Sequence, residues 1–312
     1  MGRRTYTKEY KVEAVRLVTT ATLTLSSYHS ILIDAPVSVA GKGRLMLLTN
    51  KEGTDGDLSF ADGDVTFAKL NSALFINSAR YTLVDNIATL ASDIAGDPSG
   101  DFALANSYNA RKDGTYASSP IATTFTGNFE GLGNTISNLL IVDPTNGDNV
   151  GLFAAMSENG AVDSLGLINV NINGTSATGQ SIGGLVGNTG GLDGTTADIF
   201  EDFATGKVAG GNAGSVGGLM GGGGGGFVSY SYSTATVTGG ISTSEGGLCA
   251  DCGIIDNSYA TGNVTGVSGG APDGVVDVGG LAGNAPSVSN SYATGNVTGG
   301  EYTSVGGWRA PA

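Results

Sequence analysis

Histidine, tryptophan and cysteine are nearly missing: the 312 residues hold one His, one Trp and two Cys. A single histidine excludes a His-Glu-x-x-His zinc helix. Two cysteines cannot build a disulfide framework or a four-cysteine zinc site. Proline totals seven, and glycine follows no three-residue period, so a collagen-like chain is excluded. Charged residues make up only 13% against 40% hydrophobic, which excludes a solvated acidic disordered chain. No run of 18 apolar residues exists, so no transmembrane helix and no membrane insertion are expected. Glycine, by contrast, is abundant, with 54 residues, and acids exceed bases 28 to 14 for a net charge of −14.

Neither excess is evenly spread. Residues 1–150 hold 13 glycines and residues 151–312 hold 41. The latter stretch has twelve acids and two bases, Lys207 and Arg309. Residues 1–18 reverse the sign, with Arg3, Arg4, Lys8, Lys11 and Arg16 against Glu9 and Glu13. That reversal marks a boundary near residue 18. Residues 19–80 alternate apolar and polar positions in short runs: Leu23/Leu25, Ile31/Ile33, Val37/Val39, Leu45/Leu47, Leu58/Phe60, Val65/Phe67 and Leu74/Ile76. Period 2 predicts strands with one buried face each. Over residues 84–95 the spacing of Ile87, Leu90, Ala91 and Ile94 turns helical, with Asp85 as N-cap and Gly96 as stop.

The glycine-rich half repeats itself. Ile182-Gly183-Gly184-Leu185-Val186-Gly187 recurs at Val216–Gly221, Glu245–Ala250 and Val278–Gly283, with a degenerate copy at residues 150–153. Leu152, Leu185, Leu219, Leu248 and Leu281 stand at steps of 33, 34, 29 and 33. A second phrase interleaves with it: residues 259–266 and 292–299 both read Tyr-Ala-Thr-Gly-Asn-Val-Thr-Gly, and looser copies begin at Phe203 and Tyr232. Such a unit cannot bury its apolar face alone, but stacked copies share a continuous core. Helical repeats are excluded by glycine's cost of about 1 kcal/mol per helical site, and the units are too short for propeller blades. An all-β parallel solenoid is predicted. Its expected core residues are those five leucines with Tyr232, Tyr259 and Tyr292, and glycine is expected both to supply positive φ at corners and to let rungs approach closely. Residues 221–226, an unbroken glycine run, read as a loose surface loop. They are not a phosphate loop, because Phe227-Val228-Ser229 follows instead of Gly-Lys-Ser/Thr.

The Gly-Gly-Leu-Val-Gly phrases resemble the GLUG repeat of large bacterial surface exoproteins. Phe125-Thr126-Gly127-Asn128-Phe129-Glu130-Gly131-Leu132-Gly133-Asn134 resembles the phrase that leads into such arrays. Residues 81–110 and 28–37 are similar to segments of filamentous-haemagglutinin-like proteins. The resemblance implies a right-handed parallel β-helix, export with a two-partner secretion transporter, and adhesion to a host or cell-surface glycan or protein. It gives the chain four parts: a tail over 1–18, solenoid strands over 19–80, a linking segment over 81–149 and a repeat array over 150–312. Residues 3–18 are similar to the opening helix of insertion-element transposases, so a short N-terminal helix and a coding scar are expected there. No recognition helix follows, and the acidic remainder opposes phosphate binding, so no nucleic-acid partner is expected. The tail also has no apolar leader core. The intact parent is expected at the cell surface, and this chain in the cytoplasm.

Chemistry is sparse. Asp55/Asp57 and Asp62/Asp64 form same-face pairs that read as solvated turns, with glycoside or calcium chemistry as the sharper alternative. Cys249 and Cys252 form a Cys-x-x-Cys with no second pair. By alignment Cys249 takes an apolar core place, and the two are open to pairing after export. Pectin-cleaving β-helix enzymes share the expected fold, but their Gly-His-Gly and paired-aspartate signatures are missing. The expected function is a non-catalytic adhesin segment, a stalk or binding surface without cofactor or metal. The alternatives are an accessory region of a surface metallo-endopeptidase and a non-functional fragment.

Overall fold

The alternating runs of the N-terminal half wind into a three-sided coil in the computed structural model, which describes residues 10–12, 15–17, 22–51, 53–54, 56–157, 160–190, 197–212, 214–267 and 276–307. Tyr10–Val12, Ile31–Ile33 and Leu58–Phe60 form one parallel face. Val15–Leu17, Val37–Val39 and Val65–Phe67 form the second. Thr22–Ser26, Arg44–Leu48 and Ala73–Ile76 form the third. Three coils of three strands result, filled by Ile31, Ile33, Val37, Leu45, Leu47, Val65 and Leu74, all without exposed surface. Over the described residues 10–12 and 15–17, strands stand in place of the expected N-terminal helix. Tyr10–Val12 and Val15–Leu17 are strands, each hydrogen-bonded to the next coil. Tyr10/Val12 and Val15/Leu17 carry the same period 2 as the strands after them, and pairing with an open sheet edge outweighs a short segment's helical preference. The rest of the basic tail, including Arg3, Arg4 and Lys8, lies outside the described residues, as do Asp55, Trp308 and Arg309.

At Asn77-Ser78, both with positive φ (46° and 74°), the chain reverses. Ala79–Val84 pairs antiparallel to Ala73–Ile76, and every later pairing is parallel. The helix Ile87–Gly96 follows, burying Ile87, Leu90 and Ile94. Its N-cap is Asn86, whose side chain accepts from the Thr89 amide at 2.8 Å, one residue beyond the expected Asp85. From Asp101–Leu104 onward the coils stack in four ladders. One sheet runs through Asn128–Glu130, Ala161–Asp163, Asp198–Phe200, Phe227–Ser229, Ile254–Asp256 and Ser287–Ser289. A second runs through Thr135–Ser137, Gly166–Asn173, Phe203–Ala209, Tyr232–Ser233, Tyr259–Ala260 and Tyr292–Ala293. Two narrower sheets carry the strands on either side of each Gly-Gly-Leu. The whole is a parallel β-solenoid of about nine turns, as the repeat predicts.

The Gly-Gly-Leu corners show what glycine does. Leu152, Leu185, Leu219, Leu248 and Leu281 are wholly buried, and the amides of Leu185, Leu219 and Leu248 donate to the leucine carbonyl one coil on at 2.8–2.9 Å. None of the paired glycines before these leucines has positive φ. They are needed for closeness instead: a Cβ on Gly184 would lie 2.6 Å from the Gly218 carbonyl, and one on Gly183 2.6 Å from the Leu219 carbonyl. Gly218 and Gly247 would in turn strike the carbonyls of Gly247 and Gly280. Positive φ falls elsewhere, including on one residue just past each of the last five strands of the first ladder: Ser164, Glu201, Tyr230, Asn257 and Asn290. Beside it runs a polar column in which side chains accept backbone amides of the preceding coil. Leu165 N donates to Asp202 Oδ1 (2.7 Å), Asp202 N to Ser231 Oγ (3.0 Å), Ser231 N to Ser258 Oγ (3.1 Å) and Ser258 N to Ser291 Oγ (3.0 Å). The glycine run 221–226 is not a loose loop throughout. Gly221 and Gly222 lie in the buried strand Met220–Gly222, and the turn begins at Gly223 and Gly224, whose φ values are 125° and 65°.

The two bodies dock through backbone. The open edge of the third N-terminal coil is closed by the side of the array: Val65 N donates to Leu132 O and Phe67 N to Ala105 O, both at 2.9 Å. The Asn134 and Asn106 carboxamides donate to the Val65 and Phe67 carbonyls at 2.9 and 2.8 Å. Leu83, Ala103, Ala105 and Leu132 complete the N-terminal core from the array side. A sheet edge that would otherwise template foreign strands is thereby covered.

Candidate binding surface

Strand alternation decides which repeat residues face out. In Phe203–Ala209 the buried positions are Ala204 and Val208, which leaves Phe203, Thr205 and Lys207 outside. The next coils repeat this pattern. Ser233, Ala235 and Val237 are buried, as are Ala260 and Val264. Tyr232, Thr234 and Thr236, then Tyr259, Thr261 and Asn263, then Tyr292, Thr294 and Asn296 form the outer face. The expectation that Tyr232, Tyr259 and Tyr292 are core residues is therefore corrected. The interior beside them takes alanine or serine, and the rings stack outside. Phe203–Tyr232, Tyr232–Tyr259 and Tyr259–Tyr292 have centroids 4.9, 4.8 and 5.2 Å apart and planes within 6° of parallel. That spacing is the distance between hydrogen-bonded strands. Within the stack each ring face is thus covered by its neighbour, while Tyr292 at the end leaves its outer face exposed.

Two concavities open on this sheet. The first, about 330 Å³, lies at the junction of the bodies. Phe60, Ala61 and Gly63 form one wall, and Glu201, Phe203, Tyr230 and Tyr232 the other. Glu201 is fixed there because its Oε2 accepts the Phe60 amide at 3.1 Å. Behind it lies an acidic layer that the sequence reading missed. Glu130 and Asp163 are register partners on adjacent coils. Burial, and then the charge of Asp163, hold the Glu130 carboxyl well above the usual range. Burial, with Asp198, Glu201 and Asp57 nearby, pushes Asp163 up to about 7. Burial also raises Glu201. Only the strand register reveals this layer, because these acids are far apart in sequence. Glu201 is the one carboxylate lining the groove, and it is engaged by the Phe60 amide, so the acid–base pair of glycoside hydrolysis is not assembled there.

The second concavity, about 450 Å³, is a recess further along the same sheet. It is lined by Arg111, Thr115, Asn138, Leu140, Asn169, Asn171 and Lys207, with the buried Leu139 and Val170 beneath. Its shape comes from a register shift between Leu167 and Val170, with positive φ at Asn138 (58°), Asn169 (56°) and Gly206 (120°).

The remaining sequence candidates fall apart from both. Asp62 and Asp64 sit on a turn, exposed and half-buried respectively. Asp57, also exposed, acts only through its field on the acidic layer. Cys249 and Cys252 are disulfide-bonded, with Cα atoms 6.2 Å apart, and both are fully buried in the array core. Among the described residues, no three His, Cys, Asp or Glu side chains are grouped to hold a metal ion, and no helix is long and apolar enough to cross a membrane. Compared with known proteins, the chain matches no family model, no curated protein and no solved structure.

Proposed function

We propose that this chain is a non-catalytic solenoid segment of an exported bacterial surface adhesin, a stalk whose second ladder is a glycan-binding face. The observation that carries this reading is the outer face itself. Three successive coils place Tyr, Thr and Thr or Asn at matched outward positions, beside two concavities on the same sheet. A fold needs only the inward residues of a strand to be apolar, and the outward ones are free to vary. Here they repeat with the core: Tyr259, Thr261, Asn263 and Thr265 recur as Tyr292, Thr294, Asn296 and Thr298. Hydroxyl and carboxamide groups donate and accept, which suits polyhydroxylated ligands. The reading places the intact parent at the cell surface, where the buried Cys249–Cys252 pair is at home in an oxidising compartment. The test is binding of the folded chain to immobilised glycans and to host-cell surface extracts. Saturable binding that Thr234→Asp with Thr261→Asp abolishes, without change in melting temperature, supports the reading. A folded chain that binds neither contradicts it, and so does release of shortened products from any bound polysaccharide.

A further inference from the structure

Resting on that reading, we propose that the recess around Arg111 and Lys207 is a subsite for a carboxylate-bearing saccharide, a hexuronate or sialate unit. In a chain of net charge −14, Lys207 is the sole Lys or Arg among the described residues beyond position 150. It shares a 450 Å³ recess with Arg111, which comes from a different element, the single helical turn Ala110–Asp113. Neither cation pairs with a carboxylate among the described residues, although the chain has twice as many acids as bases. The nearest acid in sequence to Arg111 is Asp113, and it is occupied by the Tyr108 and Tyr116 hydroxyls. Two unpaired cations converging on one cavity are complementary to a localised anion, and Arg adds a planar two-pronged donor that matches a carboxylate.

The rest of the lining selects a sugar rather than a bare anion. Asn169 donates to Asn138 Oδ1 at 2.8 Å, and Asn138 donates to Asn109 Oδ1 at 3.1 Å, so these carboxamides are held in a row. The Asn171 carboxamide has no partner among the described residues and lines the recess with Thr115. Leu139 and Val170 border the recess but are buried in the core, and the half-buried Leu140 is the apolar lining residue that keeps exposed surface. Amide and hydroxyl groups around the recess fit a ring with polar edges, and the volume lies in the range of small-ligand sites.

The experiment is calorimetric titration of the full 312-residue chain with an oligogalacturonate, with sialyllactose, and with neutral lactose. Arg111→Ala and Lys207→Ala are run in parallel, and because both side chains are exposed, an unchanged melting temperature is the control. The expected result is binding of at least one acidic sugar, at least tenfold weaker binding of lactose, and about tenfold loss for each substitution, the scale of a charge-assisted hydrogen bond. Binding of the uronate alone points to a plant- or matrix-type polymer, of the sialate alone to terminal host glycans, and of both to the carboxylate as the shared determinant. Equal binding of lactose overturns the proposal, as does indifference to both substitutions or displacement by equimolar inorganic phosphate. If neither acidic sugar binds while the chain still adheres to cells, the subsite fails and the adhesin reading stands. Loss of all adhesion removes both.

Discussion

The two solenoid bodies solve the same packing problem with different residues. In the N-terminal body, residues 22–76, coils turn through polar loops, and the core is a stack of Ile, Leu, Val and Phe from strands of three to five residues. In the repeat array the strands shorten to two or three residues at the Gly-Gly-Leu corners, and the backbones of neighbouring coils pass in direct contact. Bulk fills the first body, and the absence of a Cβ permits the second. Glycine at the Gly-Gly-Leu corners therefore signals close backbone approach rather than turn conformation, and the left-handed corners of the first ladder are occupied by Ser164, Glu201, Tyr230, Asn257 and Asn290.

Substitution at a paired glycine breaks this contrast most severely. Gly247→Val places side-chain atoms against the Gly280 carbonyl of the next coil, and more than about 4 kcal/mol is expected to be lost. Chemical denaturation should show the array unfolding, whereas Gly96→Ala, with nothing within 4 Å, is expected to be near neutral. Next come the leucines. Leu219→Ala removes a fully buried side chain from the corner column and is expected to cost about 3–5 kcal/mol. Leu45→Ala in the N-terminal body should cost a similar amount, because burial rather than body sets the penalty.

A third substitution should stabilise. Glu245 is register partner to Val216 and Val278 in a column otherwise apolar, fully buried, with neither carboxylate oxygen hydrogen-bonded. Burial pushes its pKa up to about 8. The unfolded chain loses this proton near the ordinary carboxylate value of about 4.3, while the folded chain keeps it until about 8. Between those limits the unfolded state binds fewer protons, so this group's contribution is fully present below the lower value and declines as pH rises through the window. Glu245→Val is expected to gain about 1–4 kcal/mol at pH 8 and to flatten the pH dependence of melting. The junction carboxyls Glu130, Asp163 and Glu201 have the same sign, so a residual decline through about pH 7 should remain in that variant. The smallest effect belongs to a corner. Tyr230→Asn suits the φ of 51° better and loses only an edge contact to Phe200 at 5.5 Å, for a gain of about 0.5 kcal/mol by thermal melt.

Much of the fold was legible because solenoids write their geometry into sequence period. The alternations from Leu23 to Ile76 became strands, and the five leucines became one buried column. The helix was legible to within one residue at its cap. Several features were misread or missed for physical reasons. Tyr232, Tyr259 and Tyr292 look like core residues by hydrophobicity, but the small residue after each fits the interior, and the rings stack outside. The tail's pattern fits two secondary structures, and pairing with the first face selected strand. The reversal at Asn77 and Ser78 had only a local signal, although it redirects every later coil. The candidate site was the least legible part. Its recess joins Arg111 to Asn138, Asn169 and Lys207 across four coils, and its acidic neighbour joins Glu130 to Asp163 and Glu201. No short window contains either set.

Continuous stacking is the central claim: a coil of the array is as stable as its contacts on both sides make it. Amide hydrogen exchange resolved by coil tests this directly. The described strands within residues 160–220 have paired coils on each side, and their inward side chains are buried. Ser287–Ser289, Tyr292–Ala293 and Thr303–Gly306 pair on one side only among the described residues, and Val305 is 50% exposed. The account predicts slow exchange in residues 160–220 and the fastest ladder exchange in residues 285–306. Equal or slower exchange in residues 285–306 would contradict it.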